Sequence, residues 1–211
     1  VLTAGNFSAL DVFDDNAYSH EPRRQFMNWS LMTHGAWDYP ADSRGYTWGA
    51  ALEYLRPGLA LRAGRFLQPK VSNGLPLNPD WRRSYGDVAE VELPHELAGR
   101  PGRLRLLAFR NVAVMGAFDA ALVAGAQAAT PPELAAVRRR QAKRGWGLNL
   151  EQELGRDIGA FGRASRGDGR TETYAFTEID RSLSAGVVLG GARWGRAGDE
   201  AGIATARNSL S

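Results

Sequence analysis

The chain of 211 residues contains no cysteine, which excludes a disulfide framework and a thiolate metal site. It has no run of about 18 apolar residues, so a transmembrane helix is excluded. The nearest approach, Ala117 to Ala129, is short and carries Asp119. Membrane-spanning strands escape that test, because alternating lipid-facing and lumen-facing side chains barely register in hydropathy. Lysine is almost missing: of 26 cationic residues only Lys70 and Lys143 are lysines, the rest arginines. Two readings of that bias stay open, GC-rich codons and a use for planar, multi-donor guanidinium groups against hydroxyls and oxyanions. The formal net charge is +3. Nucleic-acid binding calls for a contiguous basic patch, and only Arg138, Arg139, Arg140, Lys143 and Arg144 come near one. They read as a solvated face, and no nucleic-acid partner is expected.

The usual marks of chemistry are also absent. There is no phosphate loop, nucleophile elbow or dinucleotide fingerprint. His20, His34 and His95 share no ligand spacing. Asp11, Asp14 and Asp15 do not follow the EF-hand pattern and read as solvated loop acids. Neither a metal nor a cofactor is expected. Arg166-Gly167-Asp168 and the Asn28-Trp29-Ser30 sequon are short enough to arise by chance.

What the sequence has is alternation. In Arg144 to Leu154, one set of alternate positions is Trp146, Leu148, Leu150, Gln152 and Leu154; the other is Gly145, Gly147, Asn149, Glu151 and Glu153. Successive strand side chains point to opposite faces, so this is a strand with one greasy and one wet face. Its length suits the roughly 9–11 residues a tilted strand needs to cross a bilayer. Tyr46 to Tyr54 repeats the pattern, with Trp48, Ala50 and Leu52 opposed to Thr47, Gly49, Ala51 and Glu53. Leu59 to Leu67 follows the Arg56-Pro57-Gly58 turn and sets Arg62 against Leu61 and Ala63; Arg65 then falls on the apolar side, which predicts a bulge or a strand end. Tyr85 to Leu93, Arg103 to Arg110, Ile158 to Ser165, Ile179 to Leu189 and Gly202 to Asn208 continue the series, and Val1 to Ser8 reads as a short first strand.

Residues 9 to 44 are irregular and dense in Asp, Asn, Pro and aromatics, an ordered loop or hairpin extension with a helical turn near Arg24 to Met32. Residues 112 to 143 read as a long insertion, helical from Glu133 to about Lys143 after Pro131-Pro132. The links at 56–58, 99–102 and 155–157 are short, whereas those at 68–83, 112–143 and 166–178 are long. Short turns on one side and long loops on the other describe an all-β, transmembrane antiparallel barrel meander.

The charged side chains sit on the wet faces as i, i+2 pairs: Glu90 with Glu92, Glu151 with Glu153, Arg103 with Arg105. Two carboxylates on one face could serve glycoside hydrolysis, but in a barrel the same residues line water. Glu53, Arg62, Glu90, Glu92, Arg103, Arg105, Asn149, Glu151, Glu153 and Arg163 are the expected pore-lining set, offering sugar hydroxyls donors and acceptors across a transverse field. Trp29, Trp37 and Trp81 fall in loops, where stacking on sugar rings and packing of a folded loop are both open.

Several stretches resemble one known family. Asn6-Phe7-Ser8, Arg24 to Met32, Gly35-Ala36-Trp37-Asp38-Tyr39-Pro40-Ala41-Asp42, Arg44 to Gly49, Ala63-Gly64-Arg65-Phe66, Asn149 to Glu153 and Thr173-Tyr174-Ala175-Phe176-Thr177-Glu178 are similar to the carbohydrate-selective, OprB-like porins. The resemblance runs over nearly the whole chain. It implies a bacterial outer-membrane barrel of sixteen antiparallel strands that passes sugars, glucose among them, by facilitated diffusion through an arginine-rich pore. It also implies that mono- or oligosaccharides and outer-membrane lipid are partners, with a homo-oligomer open, and that no catalytic residue is needed. Against sixteen strands, residues 1–211 supply about half a barrel as a single partial domain, so the expectation is a porin segment without the signal peptide and the C-terminal strands. The readings that compete are a soluble β-rich domain that binds saccharides through its tryptophans, and a glycoside hydrolase using one Glu pair.

Overall fold

A computed structural model describes residues 1–211. Nine strands follow chain order across a single antiparallel sheet: β1 (Leu2–Phe7), β2 (Thr47–Arg56), β3 (Leu59–Leu67), β4 (Tyr85–Leu97), β5 (Arg100–Met115), β6 (Arg139–Gly155), β7 (Ile158–Gly167), β8 (Arg181–Gly190) and β9 (Glu200–Ser209). β1 and β9 form the two edges. Two helices interrupt the meander, α1 (Trp29–Met32) and α2 (Phe118–Ala128).

Alternation sorts the side chains as the sequence predicts. On β5 and β6 the register sets Leu104 opposite Leu150, Leu106 opposite Leu148 and Ala108 opposite Trp146. These form the outer face, with Leu52, Leu61, Leu93, Leu183 and Ile203 also exposed on it. Trp48 and Tyr54, also exposed, lie toward opposite ends of β2. Gln152, the polar exception of β6, has a local explanation. Its Oε1 lies 3.0 Å from His95 Nε2, and its amide donates to the carbonyls of Arg100, Pro101 and Glu153. Gly102 sits between the two side chains, where a Cβ would crowd both.

Several predicted boundaries change. Arg65 causes neither a bulge nor a strand end: β3 runs on to Leu67. Its guanidinium is held on the outer face by two hydrogen bonds to Asp87, at 2.6 and 2.8 Å, and lies 4.0 Å from the Tyr85 ring centroid. The turn expected at 99–102 closes earlier, at Ala98-Gly99, because both residues accept positive φ (53° and 73°), as a tight two-residue hairpin requires. That lengthens β4 and β5 together. The helix expected over 133–143 lies instead at α2, in the alanine-rich run before the two prolines. Ala129 ends it in the left-handed conformation. Beyond one 3₁₀ turn at Ala135–Val137, the chain from Arg139 is drawn into the ladder opposite Met115, so Val112 to Met115 are strand and not insertion.

The concave inner face is covered by the segment linking β1 to β2. The apolar core lies between this segment and the sheet: Phe13, Trp37 and Tyr39 from the segment meet Phe66, Val88, Leu107 and Phe109 from β3, β4 and β5. Phe13 packs edge-on against Trp37 and Phe66 at centroid distances of 6.4 and 6.2 Å. This explains why the wet faces of β3 to β5 turn greasy toward the long-loop end. It also explains Gly147, over which the His34 ring lies so closely that any Cβ would collide with it.

Candidate functional site

All ten sequence-predicted pore residues lie on the inner face, and the strand registers bring opposite charges into direct opposition. Glu53 stands opposite Arg62, and Arg62 opposite Glu90. Glu92 stands opposite Arg105, Arg103 opposite Glu151, and Asn149 opposite Arg163. Cross-strand neighbours have Cβ atoms about 5 Å apart, close enough for long side chains to pair. Arg62 therefore donates to Glu53 (3.0 Å), Glu90 (2.9 Å) and Glu92 (3.0 Å). Arg105 donates to Glu92 (2.8 Å) and Glu151 (3.1 Å), and Arg103 to Glu151 (3.0 Å). Arg100, absent from the predicted set, pairs with Glu153 at 2.9 Å. The result is a ladder of alternating charge from β2 to β6.

The ladder has a covered part and an open part. Glu90, Arg105, Asn149, Glu151 and Arg163 are buried beneath the 9–44 segment rather than facing open water. Arg103 keeps 46% of its side chain exposed, and Glu153 35%. Beside them, at the short-turn end, lies a cavity of about 590 Å³ lined by Tyr18, His95, Arg103 and Glu151. A larger one of about 960 Å³, with Glu21, Arg24, Glu153 and Asp157 on its wall, adjoins it along Ala17 and Tyr18.

The group that joins segment to wall is Asp14, which the sequence suggested was a solvated acid. It is completely buried. Its Oδ1 accepts from Asn149 Nδ2 (2.5 Å) and Arg163 Nε (3.1 Å). Its Oδ2 accepts from the Thr33 hydroxyl and the His34 backbone N–H, both at 2.7 Å. Its own N–H donates to Glu90 Oε2 at 2.7 Å. Burial pushes the carboxyl pKa up, but Arg163, His34 and the Thr33 hydroxyl together carry it down to about 2. Asn16 and the Ala17 N–H extend the attachment to Asn149 and Glu151, both at 2.7 Å. His34 Nε2 lies 3.3 Å from Asp14 Oδ1 without a hydrogen-bonded partner on either ring nitrogen. Burial takes its pKa down to about 4, the attraction of Asp14 notwithstanding.

A second junction lies toward the long-loop end. The Asp38 carboxylate accepts the backbone N–H groups of Tyr174, Ala175, Phe176 and Thr177. It thereby ties the Gly35–Asp42 stretch to the Thr173–Glu178 stretch. The Asn111 side-chain amide donates to the Asp38 carbonyl. Of the three loop tryptophans, Trp37 is fully buried in the core, while Trp29 and Trp81 are exposed. Sequence reasoning missed Asp14, Asn16 and Asp38, because nothing near them in the chain marks an acid that folds inward.

A family model described as carbohydrate-selective porin, OprB family, matches residues 1–211. Among solved structures, the high-pH structure of Pseudomonas putida OprB is similar, with a TM-score of 0.73 at 19% identity. The match covers 99% of this chain and 50% of that one, so the chain spans about half the length of that structure. No curated protein matches the sequence.

Proposed function

The chain belongs to the carbohydrate-selective porin family OprB, and from that premise we propose that it forms wall and constriction of a channel in the bacterial outer membrane. Sugars of the glucose type cross it by facilitated diffusion. The observation that carries this reading is the pairing of two opposite surfaces on one sheet. An apolar face carrying Trp48, Tyr54 and Trp146 suits lipid and its interfaces, while the face behind it carries the Arg–Glu ladder.

The ladder suits a neutral, hydroxyl-rich solute. Each cation is matched by neighbouring carboxylates, so no naked charge traps an ion, yet guanidinium donors and carboxylate acceptors remain within reach of passing hydroxyls. Arg103 and Glu153, with partial exposure from Arg62, Glu53 and Glu92, make the contact; Arg105, Asn149, Glu151 and Arg163 hold the inward segment that narrows the passage. The solute keeps every covalent bond, and its gradient is the only driving force.

Planar-bilayer conductance of the protein refolded in detergent, titrated with glucose, tests the reading. Stepwise channels whose current falls with glucose support it. A protein that stays monomeric in detergent-free buffer, binds glucose and conducts nothing would favour the soluble binding domain. The exposed Leu61, Leu93, Leu106 and Leu150, neighbours on one face across β3 to β6, speak against that outcome, since contiguous exposed apolar patches mark interaction or membrane surfaces.

A further inference from the structure

The two faces of the sheet treat charge in opposite ways. On the inner face the registers set Arg against Glu, whereas on the outer face they set Arg against Arg: Arg110 stands opposite Arg144, and Arg166 opposite Arg181. Like charges directly opposite on neighbouring strands are destabilising. All four arginines are exposed, and none forms an ion pair. The acids of β5 to β8 are Glu151 and Glu153 alone, both on the inner face. Asp87, which faces Arg110 from β4, has both carboxylate oxygens taken by Arg65. Asp168, in the loop after β7, accepts the backbone N–H groups of Arg144 and Arg170. The row also has a definite level. Arg110, Arg144 and Arg166 lie toward the long-loop ends of β5, β6 and β7, and Arg181 opens β8. Trp146, 49% exposed, stands opposite Arg166 at the same level. From there toward the short turns the outer positions hold Leu106, Leu148, Leu150, Ala164 and Leu183. Cations and an aromatic ring bordering an apolar band mark a membrane interface, where an arginine costs far less than at the bilayer midplane.

We propose that this arginine row binds the phosphate headgroups of anionic lipid in the leaflet on the long-loop side. The proposal rests on the channel reading and deepens it, by naming the lipid chemistry that the outer wall selects. A guanidinium fork matches phosphate oxygens bidentately. An anion lodged between Arg110 and Arg144, or between Arg166 and Arg181, turns a repulsive cross-strand pair into an attractive bridge. The acyl chains then lie along the apolar band, with Trp146 at headgroup depth. The occupant is a lipid because cations and apolar band are continuous on one face. A second copy packed by the same face at the same depth would set one arginine row against another.

The test measures binding of fluorescent diphosphorylated lipid A in detergent by anisotropy, alongside bilayer conductance of the same preparations. Wild-type protein binds this lipid at least about tenfold more tightly than its dephosphorylated form, and inorganic phosphate does not displace it. R144Q weakens binding about fivefold and R144Q/R166Q roughly twentyfold, the worth of one interfacial arginine each. R144K retains more affinity than R144Q, and R156Q, in a short turn at the other end with its side chain 96% exposed, changes nothing. Conductance stays unchanged throughout. If R144Q/R166Q binds the lipid as wild type does in a channel that still conducts, the proposal is overturned and the channel reading stands. Equal affinity for the phosphorylated and dephosphorylated forms overturns the headgroup assignment, and displacement by inorganic phosphate overturns the lipid as occupant. A protein that conducts nothing and stays monomeric without detergent overturns the channel reading, and the lipid site falls with it.

Discussion

The Arg163 guanidinium donates through Nε to the Asp14 carboxylate at 3.1 Å, with both side chains buried and 149 positions of sequence between them. One partner belongs to the wall and the other to the segment folded against it. The pair is therefore the joint between the sheet and the segment that covers its inner face.

Removing the acid breaks that joint. D14A leaves Arg163 buried without its carboxylate, a loss of about 3–5 kcal/mol for a buried pair cut on one side, strips the Thr33 hydroxyl of its acceptor and leaves the Asn149 amide only the Asp15 carbonyl. The expected outcome is a lowered Tm in detergent and a larger, noisier single-channel conductance. Unchanged conductance would mean that the segment does not narrow the passage.

His34 makes the same region sensitive to acid. Its folded pKa is about 4 against 6.5 in the unfolded chain, so the unfolded state binds more protons between those values. Stability is complete above pH 6.5 and falls as the pH drops toward 4, by about 3 kcal/mol in all. Asp14 contributes at lower pH: its stabilisation is present above 3.8 and is lost as pH falls toward 2. Tm followed from pH 7.5 to 4 checks the histidine, and H34Q should flatten the slope over that interval.

Arg103 and Arg105 should separate. Arg103 is half exposed beside a cavity, so R103A should raise the glucose concentration for half-block of current about three- to tenfold, the worth of roughly one net hydrogen bond. Arg105 is 0% exposed, and R105A empties its buried space and leaves Glu92 hydrogen-bonded to Arg62 alone and Glu151 to Arg103 and the Ala17 N–H, so it should lower Tm by several degrees. Equal block and equal Tm in the two variants would dissolve the distinction between the open and covered parts of the ladder.

Gly147 is required by the ring above it. G147A places a Cβ against His34, and overpacking of this kind costs about 1–3 kcal/mol. Proteolysis of the 9–44 segment in intact protein should accelerate in G147A and stay slow in G162A, whose outward neighbourhood has room for a Cβ.

Strand faces were legible in the sequence because a period of two is local: Trp146, Leu148 and Leu150 declare the lipid side within a few residues. The predicted pore set lies on the inner face for the same reason. The limits of β5 were not, since Leu107, Phe109 and Met115 are apolar on the wet side and break the alternation. The aromatic cover from residues 13–39 that makes them apolar cannot be seen from the strand itself. Asp14 was opaque for the same cause, its acceptor role being defined by Asn149 and Arg163 at separations of 135 and 149 residues. The helix at Phe118–Ala128 was not legible because its alanine-rich run is small and apolar on most sides and carries no polar stripe to mark a helical face.

The segment that closes over the inner face is synthesised between the first two strands, yet its anchors lie on β4, β6 and β7. Contacts so distant along the chain form late, because the loop that joins them must close first. Until it does, Glu90, Asn149 and Arg163 remain in contact with water, and the sheet can assemble without confronting a buried charge. In that order of events the docking of residues 9–44 follows strand registration, and it is the step that takes Glu90, Asn149 and Arg163 out of water.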